Sequence, residues 1–195
     1  MRKASHIKLN SFLIERVPEL RKHKISILIG CILPDCIPSF VYKKHTIENT
    51  LHIVEKEMQK IQKCREINSY FCRHIGIITH YLADYCTLPH NKVYSGGIKQ
   101  HTIYEGRLRQ ELKSYLDKLE EHIMSIHEDI ENILDFIVKH HRRYIESIKF
   151  NNDNIENDCY YIASINLAII KHLVKITLTE VIEGCGDVTR GLASL

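Results

Sequence analysis

The chain has 195 residues and a 44% apolar share, enough for one domain with a full hydrophobic core. Its net charge of +3 with the histidines neutral is too small to demand a nucleic-acid or anionic-membrane partner. Seven cysteines, an odd number with no CxxC pair among them, argue against a disulfide framework and a thiolate zinc site, and fit reduced thiols. The unusual surplus is histidine, with 13 residues and no tag-like run.

Glycine and proline are scarce, and no stretch alternates as a strand. Apolar residues recur every three to four positions, which predicts an all-α, single-domain multi-helix bundle. The first helix is expected from about Ser5 to Arg16 and the second from about Glu19 to Ile32. The run LPDCIPS then breaks the chain with two prolines. A third helix follows from about Thr46 to Gln62, and a fourth from about Ser69 to Thr87, stopping before Pro89. NKVYSGG is a loop, and a fifth helix runs from near Lys99 to about Leu119. Another continues to about Phe150, NNDN punctuates, and a last long helix covers about Ile155 to Ile182. The domain is expected over residues 1–183, with 184–195 a loosely held tail. LIGC, Leu28 to Cys31, mimics a lipoprotein cleavage box, but the apolar segment before it falls short of the roughly 7–15 residues of a signal. No run is expected to reach the length of a membrane span, so the expected location is cytoplasmic.

On a helix, positions four apart point the same way. His80 and Asp84 therefore share a face of the fourth helix, and Gly76, one turn earlier, leaves that face open to a close neighbour. His101 and Glu105 repeat the pair on the fifth helix, and His90 follows Pro89 in the loop between them. Zinc takes nitrogen and oxygen donors of this kind. His6, Asp35, His45 and His52 are further candidates upstream. A lone His/Asp pair at this spacing is most often a surface ion pair or a satisfied half-buried histidine. Two such pairs, with His90 and Asp35, leave that reading and metal binding level on spacing alone.

The other histidines serve as controls. His74 points to a different face from His80 and Asp84. His122, His127, His140 and His141 lie on a charged helix and are expected in solvent, as is the basic cluster KHHRR. His172, on the apolar face of the last helix, is expected in the core.

The run His80–x3–Asp84–x5–His90, with Pro89 before the last histidine, followed by His101–x3–Glu105, resembles the zinc-dependent phospholipase C family. With Asp in the final position the same pattern marks the related zinc-dependent single-strand nucleases. The resemblance extends to SHI near the start and to GCILPDC, over roughly residues 1 to 110. It implies an all-α fold with two to three zinc ions in a cleft. It further implies that His80, Asp84, Asp35 and a histidine after Asp35 hold one zinc. Asp84 would bridge to a second, held by His6 and by the amine and carbonyl of Met1, where the family usually has tryptophan. His90, His101 and Glu105 would hold the remaining one. The histidine after Asp35 is His45 or His52; His45 is preferred because it precedes a helix.

The resemblance implies a zinc-dependent phosphodiesterase of phospholipase C type. Two zinc ions roughly 3.5–4 Å apart would share the hydroxide that attacks the phosphodiester. Asp35 would be both ligand and base for the attacking water. A phospholipid headgroup is the favoured substrate, with at most transient contact to a membrane surface. A choline cage is incomplete, because Cys36 stands where an aromatic is expected and Tyr42 offers one wall. The alternative on the same fold is a single-strand nuclease or nucleotidase, with Tyr81, Tyr85, Tyr94 and Tyr104 available for base stacking. The reading from another class is a non-catalytic helical metal-binding protein. An HD-type phosphohydrolase is disfavoured, because no adjacent His-Asp dyad occurs.

Overall fold

Residues Ser69–Tyr85 form the helix around which the rest is arranged (α4 below). Nearly every side chain from Phe71 to Tyr85 is buried, the pattern of a helix enclosed on all sides. Asn68 starts it by accepting a hydrogen bond from the Phe71 N–H at 3.0 Å, which satisfies one of the free donors of the first turn.

The structure, a computed structural model, describes residues 1–37, 44–119, 130–150 and 154–192, with residue 150 and residues 180–192 as backbone alone. Among the described residues there are seven α-helices, three short 3-10 turns and no strand, as expected of an all-α protein. The helices are α1 (Lys3–Arg16), α2 (Lys24–Gly30), α3 (Ile47–Ile61), α4 (Ser69–Tyr85), α5 (Ile98–Lys118), α6 (Ile133–Phe150) and α7 (Ile155–Leu192). The 3-10 turns are Pro18–His23, Leu33–Asp35 and Leu88–His90.

Helices α2 and α3 pack on α4 from two sides, α7 packs on it from a third, and α1 bridges α2, α4 and α5. Helices α2 and α4 approach closely at two glycines. A Cβ on Gly76 would lie 2.3 Å from the Ile27 carbonyl oxygen, and one on Gly30 would lie 3.1 Å from Gly76 Cα. Two glycines thus let the backbones touch, and Gly76 owes its place to this crossing. In α5 the buried residues Tyr104, Leu108, Leu112 and Leu116 form a stripe at a spacing of four that seals against α7.

The structure departs from the expected elements at several points. The second helix is divided: Pro18 opens a tight 3-10 turn over the charged stretch PELRKH, whose only buried residue is Leu20, and the α-helix begins at Lys24. The last helix continues in backbone to Leu192, past its expected end. Its segment Ile155–Thr179 is long and apolar enough to cross a membrane by length and composition, contrary to expectation, although 67% of its most apolar window is buried within the bundle. His140 is buried, not solvated, because Ile137, His140, Tyr144 and Ile148 form one inward stripe of α6. His141 is half-buried, and so is His172, which lies at the margin of the core and not within it. His122 and His127 lie outside the described residues, as does Tyr42.

Candidate metal centre

Asp84 is the hub. It sits in the last turn of α4 with its side chain only 1% exposed, and its two oxygens face different partners. Oδ1 accepts a hydrogen bond from the Met1 α-ammonium at 2.7 Å and lies 3.4 Å from His6 Nε2. Oδ2 accepts from His45 Nδ1 at 2.9 Å and lies 3.3 Å from His80 Nε2 and 3.9 Å from His90 Nδ1. Burial alone would push the Asp84 carboxyl up. Electrostatic interactions with His90, the Met1 ammonium, His80 and His6 outweigh it and hold this group well below the usual carboxylate range.

His80 is fixed by its neighbours. Its Nδ1 lies 2.9 Å from the Cys31 carbonyl oxygen, which can only accept, so Nδ1 carries the hydrogen. In the neutral ring the Nε2 lone pair then points at carboxylates: Asp84 Oδ2 on one side and Asp35 Oδ1 at 3.7 Å on the other. The close crossing of α2 over α4 brings the Cys31 carbonyl into reach. His6, on α1, stacks on His80 with ring centroids 3.8 Å apart and planes within 14°. Both His6 ring nitrogens are buried without a hydrogen-bond partner among the described residues. Burial and the neighbouring His80 hold the His6 imidazole well below its ordinary range.

The 3-10 turn Leu33–Asp35, started by Pro34, leaves the Asp35 side chain 25% exposed at the edge of this cluster. His45 lies just before α3, 3.9 Å from Asp35 Oδ1 and 3.1 Å from His80 Nε2. Burial pushes the His45 imidazole down, but its hydrogen bond to Asp84 and the Asp84 and Asp35 charges raise it overall. His52 is exposed on α3. Of the two alternatives after Asp35, the fold puts His45 in the cluster.

A third set opens toward solvent. His90, in the turn Leu88–His90, has its ring centroid 5.8 Å from that of His101. His101 Nε2 is 3.4 Å from Glu105 Oε1, with the two side chains 38% and 22% exposed. The Met1 ammonium lies between these groups, 3.3 Å from His90 Nε2 and 3.8 Å from Glu105 Oε1. Burial pushes the His90 imidazole down to about 3. Arg2, which the sequence did not single out, holds the chain start against α5: it donates to the Thr102 carbonyl at 3.0 Å and approaches Glu105 Oε2 at 3.8 Å.

All nine sequence candidates, Met1, His6, Asp35, His45, His80, Asp84, His90, His101 and Glu105, therefore come together. Among the described residues, two groupings have all their ligand atoms within 4.8 Å of one another: His6, Asp35 and His80, and His45, His80 and Asp84. The resemblance puts His6 with Met1; the fold also brings its ring nitrogen within 4.8 Å of ligand atoms of Asp35 and His80. The donor set suits zinc, which takes imidazole nitrogen and carboxylate oxygen. The two unpartnered nitrogens of His6 fit it as well, because a buried polar atom without a partner costs about 1–3 kcal/mol.

The control histidine behaves differently. His74 bonds through Nδ1 to Glu57 Oε2, and Lys60 donates to Glu57 Oε1 at 2.7 Å. Tyr81, Tyr85 and Tyr104 are buried, while Tyr94 is half-buried with its ring 6.3 Å from that of His101. Missing from the sequence reading was the Cys31 carbonyl; the paired glycines 30 and 76 were the available signal. The family model described as zinc dependent phospholipase C matches residues 5–161, well past the 110 or so residues that carry the resemblance. No curated protein and no solved structure matches the chain.

Proposed function

From the premise that the chain belongs to the zinc-dependent phospholipase C family, we propose that it is a phosphoric-diester hydrolase of phospholipase C type that binds two to three zinc ions. The observation that supports this reading is the two-sided use of Asp84. One oxygen serves Met1 and His6 and the other serves His45 and His80, as a carboxylate shared between adjacent cations would. His80, Asp84, Asp35 and His45 would hold one inner metal, Asp84 with His6 and the Met1 amine a second, and His90, His101 and Glu105 the outer one. Zinc in this setting supplies Lewis acidity, making hydroxide available near neutral pH and offsetting charge that grows on phosphoryl oxygens.

The protein's own groups divide the remaining work. Asp84, His6 and His80 are shut off from solvent and hold position. Asp35, His101 and Glu105 are the open members, so a diester reaches the centre from their side. Asp35 presents a carboxylate that can accept the proton of an attacking water. A phospholipid headgroup is favoured over nucleic acid, because three of the four tyrosines suited to base stacking are buried in packing.

The test is a hydrolysis panel on zinc-loaded protein with bis-p-nitrophenyl phosphate, several phospholipids and single-stranded RNA, beside elemental analysis. Two to three zinc ions per chain with turnover of the diester and of phospholipid support the reading. One zinc or none, without turnover, overturns it.

A further inference from the structure

The turn Leu88–Pro89–His90, which carries a proposed ligand, is closed by the His90 N–H donating to the Thr87 carbonyl at 3.0 Å and the Asn91 N–H donating to the Leu88 carbonyl at 3.1 Å. Pro89 has no N–H, and the Leu88 N–H donates to a side chain, the Tyr104 hydroxyl, at 3.2 Å. That hydroxyl in turn donates to Asp158 Oδ2 at 2.5 Å, and Tyr144 donates to Asp158 Oδ1 at 2.9 Å. Asp158 is buried in the first turn of α7, where a helix N-terminus favours a carboxylate. A carboxylate can only accept, so both phenols are donors to Asp158. Tyr104 thus has one hydrogen, given to Asp158, and one lone pair, given to the turn.

The turn is held from its other end as well. Asn91 Nδ2 donates to the carbonyls of Tyr85 at 3.1 Å and Thr87 at 2.8 Å, which forces its Oδ1 to be the acceptor on the far side. His141 Nε2 lies 2.8 Å from that oxygen and so donates to it. Burial holds the His141 imidazole below its ordinary range. Two relays from the C-terminal half flank the turn that presents His90: Asp158 through Tyr104 reaches Leu88 within it, and His141 through Asn91 ties the residue after it to the Tyr85 and Thr87 carbonyls before it.

We propose that Asp158, Tyr104, Asn91 and His141 are positioning residues that fix His90 as a ligand, and that this is a function of α6 and α7 in the metal centre. The inference rests on the metal-dependent reading above. Tyr104→Phe removes one hydroxyl from the first relay, and His141→Ala removes the donor of the second. Zinc affinity is measured by chelator competition, together with hydrogen exchange of the Leu88 amide in the metal-free protein and thermal unfolding. Tyr104→Phe is expected to unfold cooperatively, to exchange the Leu88 amide faster, and to bind its weakest zinc on the order of 10- to 100-fold less tightly, with the tighter ions unaffected. His141→Ala is expected to weaken the same ion selectively, and it decides the matter if Tyr104→Phe does not fold. Folded variants that bind every zinc as the unaltered protein does, with unchanged Leu88 exchange, overturn the proposal. If the unaltered protein takes up no zinc, the proposed function falls instead, and Leu88 exchange alone still shows whether the relay holds the turn.

Discussion

Gly30 and Gly76 meet backbone to backbone where α2 crosses α4, and one turn further along α4 the Cys31 carbonyl receives the His80 ring at 2.9 Å. The contact that packs the two helices also orients a proposed ligand. Gly76→Ala sets two effects against each other. Alanine gains about 1 kcal/mol of helix propensity, but its methyl would sit 2.3 Å from the Ile27 carbonyl oxygen, a backbone atom that cannot swing aside. Forced overpacking of this kind costs roughly 1–3 kcal/mol. The variant should therefore unfold at lower temperature and lose zinc affinity, both read from thermal denaturation with and without the metal.

Asp84→Asn should lose zinc and turnover together, because among the described residues only Asp84 brings a carboxylate oxygen within 3 Å of the Met1 ammonium and of His45 Nδ1. It should also destabilise the metal-free protein by about 3–5 kcal/mol, since the buried Met1 ammonium loses its counter-charge. Elemental analysis and urea unfolding measure the two effects. Near-normal turnover would contradict the scheme.

His45→Ala and His52→Ala form a matched pair. His45 is buried against Asp84 and His80, whereas His52 faces solvent on the same stretch of chain. The first should lower zinc content and hydrolysis; the second should change neither. His74→Ala should likewise leave zinc content alone, because His74 is committed to Glu57.

The Glu57–His74 pair gives the fold a dependence on acid. Burial pushes the Glu57 carboxyl up, but hydrogen bonds from His74 and Lys60 outweigh it and hold this group below its ordinary range. A carboxyl depressed in the folded state contributes stability that is fully present above its unfolded pKa of roughly 4.3, and that is lost as pH falls through the folded value. Urea unfolding of the metal-free protein should therefore lose stability below about pH 4, and Glu57→Gln should flatten that part of the profile.

Tyr81→Phe should cost nothing in folding. The Tyr81 hydroxyl is buried without a hydrogen-bond partner among the described residues, and its ring lies edge-on to His45 and His80, with centroids 5.2 Å and 5.5 Å away. Removing an unpaired buried hydroxyl is neutral or stabilising by up to about 1 kcal/mol, which calorimetry of the metal-free protein would detect.

The parts of the centre legible in the sequence are those governed by helix periodicity. His80 with Asp84 and His101 with Glu105 are pairs that a regular helix must bring to one side, and the prolines at 34 and 89 mark the turns that present Asp35 and His90. Less legible was whatever depends on which helix lies against which. The stack of His6 on His80 and the reach of Met1 to Asp84 join residues more than seventy positions apart, and only packing determines them. The burial of His140 was within reach of the sequence, because Ile137, Tyr144 and Ile148 share its stripe, but the charges around it masked that pattern. The crossing at Gly30 and Gly76 was half visible: the space beside Gly76 could be read, but not the strand of backbone that fills it.

The hydrogen bond between His80 and the Cys31 carbonyl has one more consequence. It chooses the tautomer of the neutral ring while the chain folds, so the nitrogen turned toward Asp35 and Asp84 is the one that offers its lone pair to a cation. The receptor is ready-made, and the entropy of aiming that imidazole is spent in folding and not in capture.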